Sequence, residues 1–268
     1  MLRHACPVCA VDGPEAVFSE AEWAVDALRQ GGVKAMLASA LGADQRLGFG
    51  RMLRCRGCGT LFTESVPVGE ALDGFYARYY GTDGYRTKVA GKLALAGRQI
   101  LALRLLVRGR RFLDVGCNIG CAVEAARRRG FAATGVEVSS EAVAIGRGMF
   151  AGCRFVEGTL TAIPAEERFD LVMCTEVVEH VPDPAGFIAE LAGRVAPRGL
   201  LLLTTPNGGG VAAKADPMRW AEMKPPEHQQ LLTRAGIGLA LRRVGLRPYF
   251  LPVFKGGLQL LARRAAGG

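Results

Sequence analysis

From Arg111 to Pro252 short apolar runs alternate with stretches of helical period, and this alternation constrains the fold of the 268-residue chain more than any other feature. Arg111–Val115, Ala132–Val138, Arg154–Glu157, Phe169–Thr175 and Leu200–Thr205 read as strands. Ala122–Arg129, Ser140–Met149, Pro184–Val195 and Thr233–Val244 read as helices, and Arg247–Pro252 begins a final strand. Apolar strands separated by helices call for a mostly parallel sheet covered on both faces, with right-handed crossovers. The expectation is a doubly wound, Rossmann-like α/β domain over residues 106–252, with its ligand outside the carboxyl ends of the strands.

The first strand runs into Leu113-Asp114-Val115-Gly116-Cys117-Asn118-Ile119-Gly120, and a helix follows. Glycine is needed in such a turn because the backbone bends sharply and a cofactor must approach without meeting a Cβ. The second strand places Glu137 at its carboxyl end, 21 residues beyond Gly116. A carboxylate there can accept hydrogen bonds from both hydroxyls of a ribose. Dinucleotides share that ribose, so these two features leave the cofactor open.

The N-terminal region has a different chemistry. Cys6-Pro7-Val8-Cys9 and Cys55-Arg56-Gly57-Cys58 each set two thiols on a tight turn, and together they offer a tetrahedral four-cysteine site for zinc. A redox dithiol pair and simple buried thiols are the alternatives; His4 is unneeded if all four cysteines ligate. Residues 1–66 are expected to be a small zinc-ribbon-like unit, with a helical insertion over Pro14–Leu41 that can bury Phe18, Val25, Leu28 and Met36. Residues 67–105 form a bridge in which Phe75, Tyr76, Tyr79, Tyr80 and Tyr85 are either a local core or a lid. A helix over Lys88–Val107 then leads into the main domain. Residues 253–268 form a tail, with Phe254–Gly268 read as a short amphipathic helix.

The start of the chain shows no apolar leader, and no run of about 18 apolar residues occurs. A cytoplasmic protein with reduced cysteines is expected, which takes weight from a disulfide reading of the eight cysteines. The net charge of +9 divides into +3 for each of residues 1–105, 106–252 and 253–268. Such an even spread argues against a nucleic-acid face. Arg127-Arg128-Arg129 reads as the end of a helix before Gly130, where cations complement the helix dipole.

In order along the chain come Asp114-Val115-Gly116-Cys117-Asn118-Ile119-Gly120, Glu137, Phe169-Asp170-Leu171-Val172, Glu176-Val177-Val178-Glu179-His180-Val181-Pro182-Asp183-Pro184, Pro197-Arg198-Gly199-Leu200 and Thr205-Pro206-Asn207. This series resembles the class I S-adenosylmethionine-dependent methyltransferases over about residues 111–250. The paired cysteine turns resemble a bacterial subgroup of these enzymes that is often linked to sugars or polysaccharide precursors. The resemblance implies methyl transfer, to oxygen or carbon, on a small-molecule acceptor such as a nucleotide sugar. It implies that Asp114 orients the loop near the amino acid part of S-adenosylmethionine. The loop from Gly116 through Cys117 and Asn118 to Gly120 gives the close approach, Glu137 holds the ribose, and Gly158-Thr159-Leu160 lie beside adenine. Cys174, Thr175 and Glu176 end the fourth strand, where methyl group and acceptor meet. Two positions depart from the family pattern. Asn118 replaces a glycine, and Asn tolerates the left-handed region. Thr159 replaces an acid.

On the acceptor side, Glu176, Glu179 and His180 have the spacing of one helix face. They resemble the ExxEH stretch of polyprenyl-quinone O-methyltransferases, which implies a second divalent cation. His180 and His228 are alternative general bases. A helix start that favours acids, with the histidines packed for structure, is the plainer alternative. An RNA methyltransferase with an N-terminal zinc unit and a non-catalytic cofactor-binding scaffold are the rival readings of the whole.

Overall fold

The computed structural model describes residues 1–67, 88–252 and 256–264. The aromatic cluster from Phe75 to Tyr85 lies outside the described residues. The first elements are strand β1 (Glu15–Ser19), helices α1 (Glu20–Gln30) and α2 (Gly32–Ala43), and strands β2 (Arg51–Arg54) and β3 (Leu61–Thr63). Helix α3 (Val89–Arg104) follows, then β4 (Arg111–Val115), α4 (Cys121–Arg127), β5 (Ala132–Glu137), α5 (Ser140–Met149) and β6 (Arg154–Glu157). The chain continues with β7 (Phe169–Thr175), α6 (Pro184–Arg194), β8 (Val195–Pro206), α7 (Val211–Ala215) and β9 (Gln230–Leu231). It ends in α8 (Arg234–Arg243), β10 (Leu246–Leu251) and β11 (Gly257–Arg264).

The large sheet has seven strands in the order β10-β11-β8-β7-β4-β5-β6. Pairing is parallel from β8 to β6, and β11 enters antiparallel between β10 and β8. The central strands are apolar because both faces are covered; Leu200 to Leu203 of β8 are all buried. Helix starts are set by side-chain caps. Ser139 accepts from Ala142 N (3.2 Å), Asp183 from Gly186 N (2.9 Å) and Thr233 from Gly236 N (3.0 Å). At the end of α4, Arg127 and Arg128 each bond Glu124 at 2.7 Å, holding its carboxyl down at about 2.

Two expected elements differ. Pro14–Leu41 is a strand and two helices rather than one helix. Ser19 and Glu22 form a capping box that starts α1, and Gly31, with φ of 74°, separates it from α2, which opens on Gly32 at φ 60°. Trp23, Ala27, Leu37, Ala38 and Leu41 are buried there, whereas Val25, Leu28 and Met36 are exposed; of the expected core set only Phe18, on β1, is buried. The described part of the tail is a strand rather than a helix: β11 buries Leu258, Leu260 and Ala262 with the period of a strand.

The N-terminal strands form a second sheet, β1-β2-β3-β9, whose last strand comes from residues 230–231 of the main domain. Arg243 donates to the carbonyls of Val8 (3.1 Å) and Cys9 (3.2 Å), and Thr233 Oγ1 donates to that of Cys58 at 2.5 Å. The cysteine turns pack in one core with Ile237, Ala240 and Leu241 of α8. Arg3 is buried and donates to the carbonyls of Gln229 (3.1 Å) and Pro182 (2.5 Å) and to Gln230 Oε1 (3.0 Å). The small sheet therefore takes one strand from the main-domain segment and shares hydrogen bonds and core with that domain.

Candidate active site

The register of the large sheet aligns the carboxyl ends of its strands. Val115 lies opposite Val136 and Cys174, and Thr175 opposite Thr204, so Gly116, Glu137, Thr175 and Thr204 fall along one edge. A cavity of about 560 Å³ opens at that edge, lined by Asp114, Gly116, Asn118, Thr175, Thr204 and Gln259 among others. Cys117, Cys121 and Met173 add apolar surface, and α3 contributes Lys92, Leu95, Arg98 and Gln99.

The loop after β4 is shaped by backbone conformation. Gly116, Asn118 and Gly120 have φ of 71°, 50° and 85°. A Cβ on Gly116 would lie 2.5 Å from Val177 Cγ2, so glycine is required there on two counts. Asn118 takes the left-handed conformation expected of it, and its Oδ1 accepts from Ile119 N at 2.8 Å. Glu137 is fixed at both oxygens: Oε2 accepts from Asn118 N (2.9 Å) and Oε1 from Ser139 N (3.0 Å). Each oxygen keeps a lone pair for a further donor. Burial, and then the charge of Glu137, raise the Asp114 carboxyl to about 7. Gly158 N donates to the Glu137 carbonyl at 2.8 Å, so the turn at 158–160 adjoins this acid. Thr159 is exposed there and bonds Thr161, while the Leu160 side chain is buried in the core.

The residues expected on one helix face sit in a turn. Glu176 has φ of 55°, no helix covers 176–180, and α6 starts only at Pro184. Glu176 accepts from Thr204 Oγ1 at 2.8 Å. The cluster that forms is instead Glu179, His180 and His228, whose ligand atoms lie within 4.8 Å of one another. His228 is brought there by the segment leading into β9. His180 Nδ1 lies 3.0 Å from the Glu227 carbonyl and His228 Nδ1 2.7 Å from that of Glu222. A carbonyl only accepts, so each Nδ1 carries the proton and each Nε2 a lone pair. Burial lowers His180 to about 4 and, with the neighbouring His180, pushes His228 well below its ordinary value. Both imidazoles are neutral near pH 7. Glu179 is fully buried; Oε2 accepts from Thr205 Oγ1 (2.9 Å), and Oε1 has no hydrogen-bond partner among the described residues. Burial, and then Glu176, push its carboxyl well above the usual range.

The four N-terminal thiols are all buried with Sγ atoms within 4.8 Å of one another; Cys6 to Cys58 is 3.7 Å and Cys9 to Cys55 is 3.3 Å. Zinc–sulfur bonds of about 2.3 Å in a tetrahedron put sulfurs roughly 3.8 Å apart. Gly57 N and Cys58 N approach Cys55 Sγ at 3.3 and 3.4 Å, the donors a thiolate ligand needs. The donor set fits zinc.

Strand order, a glycine-bordered cavity and an acid at the carboxyl end of β5 define the class I methyltransferase architecture. The chain belongs to the methyltransferase domain family, whose model matches residues 85–249. It is similar to the ubiquinone biosynthesis O-methyltransferase of Alkalilimnicola ehrlichii, 40% identical over 38% of this chain and 43% of that protein. The Idiomarina loihiensis protein of the same name is 30% identical over 46% of this chain and 56% of its own length. The chain thus spans about half the length of the curated relatives it matches. Among solved structures, it shares its fold with the magnesium protoporphyrin IX methyltransferase ChlM of Synechocystis PCC 6803 with bound SAH. The TM-score is 0.52 at 18% identity, over 72% of this chain and 95% of that one. The glycopeptide N-methyltransferase MtfA complexed with S-adenosylmethionine gives a TM-score of 0.50 at 18% identity, over 63% and 92%.

Sequence reasoning missed Lys92, Arg98 and Gln99, which reach the cavity from a helix outside the motifs, and Gln259, which sits on the strand read as a tail. It also missed His228 as the companion of Glu179 and His180, for which sequence offers no signal: 48 residues separate the two histidines.

Proposed function

We propose that this chain transfers a methyl group from S-adenosylmethionine to a hydroxyl of a small-molecule acceptor. The observation that carries the reading is the cavity at the ends of β4 and β7, with Glu137 held to Asn118 N beside it. S-adenosylmethionine, when bound, supplies an electrophilic methyl group. Glu137 accepts the ribose hydroxyls on its remaining lone pairs, and the Thr159 turn borders adenine. Gly116 leaves room for the amino acid part, which Asp114 faces from below, and Thr175 and Thr204 border the transfer point. In-line transfer demands alignment of acceptor and methyl group, which the walls provide by excluding other poses. His228 or His180, neutral with Nε2 lone pairs, removes the hydroxyl proton as the acceptor reacts.

Oxygen is favoured over carbon because the relatives bear the name O-methyltransferase, and a hydroxyl needs the base that this cluster offers. Sugar hydroxyls and phenols both satisfy this chemistry. The four cysteines hold zinc as a cross-link between the small sheet and α8. The orphaned Glu179 Oε1 favours a second reading of the histidine cluster, in which Glu179, His180 and His228 hold a divalent cation that polarises the acceptor oxygen. Glu176, the other acid first considered for that ion, is engaged with Thr204. A labelled-methyl assay against phenols, catechols and nucleotide sugars, with and without chelator, tests both readings. Label in a hydroxyl of one class supports the function. Methylation unaffected by chelation selects the base reading, and no product from any class after cofactor binding is established overturns the proposed acceptor.

A further inference from the structure

The even division of charge hides a concentration. Seven basic residues and no acidic one fall between Lys88 and Leu113, against a net charge of +9 for the whole chain. That stretch is α3 and its lead into β4. Along the solvent side of α3 and the following turn, Leu95, Leu101, Leu105 and Leu106 are 68%, 52%, 84% and 47% exposed. Their spacing places them on one helical stripe with Arg98, and Arg108 and Arg110 stand exposed at its end. The opposite side is firmly seated: Gly97, Ile100 and Leu103 are buried against the main core. Arg104 bonds the Val107 carbonyl at 3.0 Å, and Arg263 of β11 bonds that of Leu106. The stripe is therefore an apolar face with a basic rim on a helix whose position is fixed from behind.

We propose that this face docks on an anionic lipid surface. An exposed leucine row on a segment that carries cations and no acid, with Asp170 pairing only Arg111 beyond its end, is the composition of a helix that lies in the interface plane, its apolar side in the headgroup boundary and its basic residues on the lipid phosphates. Nucleic acid would meet the arginines but leave the leucines without a partner, and the stripe offers no aromatic ring for a base to stack on. The docking is peripheral: among the described residues no helix is long and apolar enough to cross a membrane. The stripe also leads to the site, because Leu95 and Arg98 line the cavity as well. A chain lying on this face holds its cavity mouth at the bilayer surface. The inference stands on the helix alone and does not depend on the identity of the acceptor.

The test is co-sedimentation of the full chain with vesicles of phosphatidylcholine alone and of phosphatidylcholine with about 30 mol% phosphatidylglycerol, at low and high salt. Anionic vesicles are expected to bind at least tenfold more tightly than neutral ones, with the difference reduced by salt. Leu101→Glu with Leu105→Glu is expected to abolish binding while melting temperature and cofactor affinity stay unchanged. Arg108→Glu, at an exposed position outside the cavity, gives an independent variant that weakens binding mainly at low salt. Equal binding to both vesicle types, or undiminished binding by the folded variants, overturns the proposal. So does preferential binding of an RNA duplex at the same face. Protection of the leucines from hydroxyl-radical labelling in vesicle-free protein, by a second copy or another segment of the chain, overturns it as well.

Discussion

The rings of His180 and His228 stand edge to face with centroids 4.9 Å apart, and each is turned by a backbone carbonyl at Nδ1 so that Nε2 keeps its lone pair. The pair joins the end of β7 to the segment before β9, two elements that only the completed fold brings together.

Replacing His228 by alanine is expected to lower kcat by about 10²- to 10⁴-fold if it takes the acceptor proton. Affinity for S-adenosylhomocysteine should stay within about twofold, since neither histidine lines the cavity beside Gly116 and Asn118. Steady-state kinetics with calorimetric binding on the same preparation check this; parallel loss of both would assign His228 to structure.

Protonation of the same cluster sets a pH limit on stability. His180 titrates near 4 when folded against an ordinary 6.5, so between those values the unfolded chain binds more protons. Stability from this residue is complete above about pH 6.5 and is lost as pH falls toward 4, by roughly 3 kcal/mol at most. His228 shifts in the same direction and adds to the slope. Denaturant melts from pH 7.5 to 4.5 should show falling stability, with a shallower slope for His180→Gln.

One zinc ion per chain is expected from metal analysis of reduced, chelator-free protein. Cys55→Ser should release it and lower the melting temperature by several degrees, because β9, Thr233 and Arg243 couple that site to the main domain. Metal-free protein that melts like the wild type would contradict the assignment.

Gly116→Ala places a side chain at φ 71° and 2.5 Å from Val177. The strain costs about 1–3 kcal/mol, and cofactor affinity should fall at least tenfold while the far sheet keeps its amide protection. Hydrogen exchange and binding measured together distinguish this from general unfolding.

The main domain was largely legible because its strands are buried on both sides and its helices are capped by Ser139, Asp183 and Thr233, signals that are local. Strands Arg111–Val115, Arg154–Glu157 and Phe169–Thr175 and helix Ser140–Met149 have the bounds read from sequence. What failed depended on partners far away in the chain. β11 gains its strand identity from the neighbours β8 and β10, and an alternation of Leu258, Leu260 and Ala262 was passed over for a helix. The face drawn through Glu176, Glu179 and His180 assumed a helix that the φ of 55° at Glu176 forbids. The basic run of α3 straddles the boundary between the bridge and the main domain, so neither region stands out by its net charge.

The edge formed by Gly116, Asn118 and Glu137 is the proposed seat of an adenosyl-amino acid cofactor. Calorimetric binding of S-adenosylhomocysteine to wild type and Glu137→Ala tests it most directly. Micromolar affinity that weakens at least tenfold in the variant, about 1.4 kcal/mol, is the predicted result. No binding by the folded, zinc-loaded wild type, or undiminished binding by the variant, would contradict it.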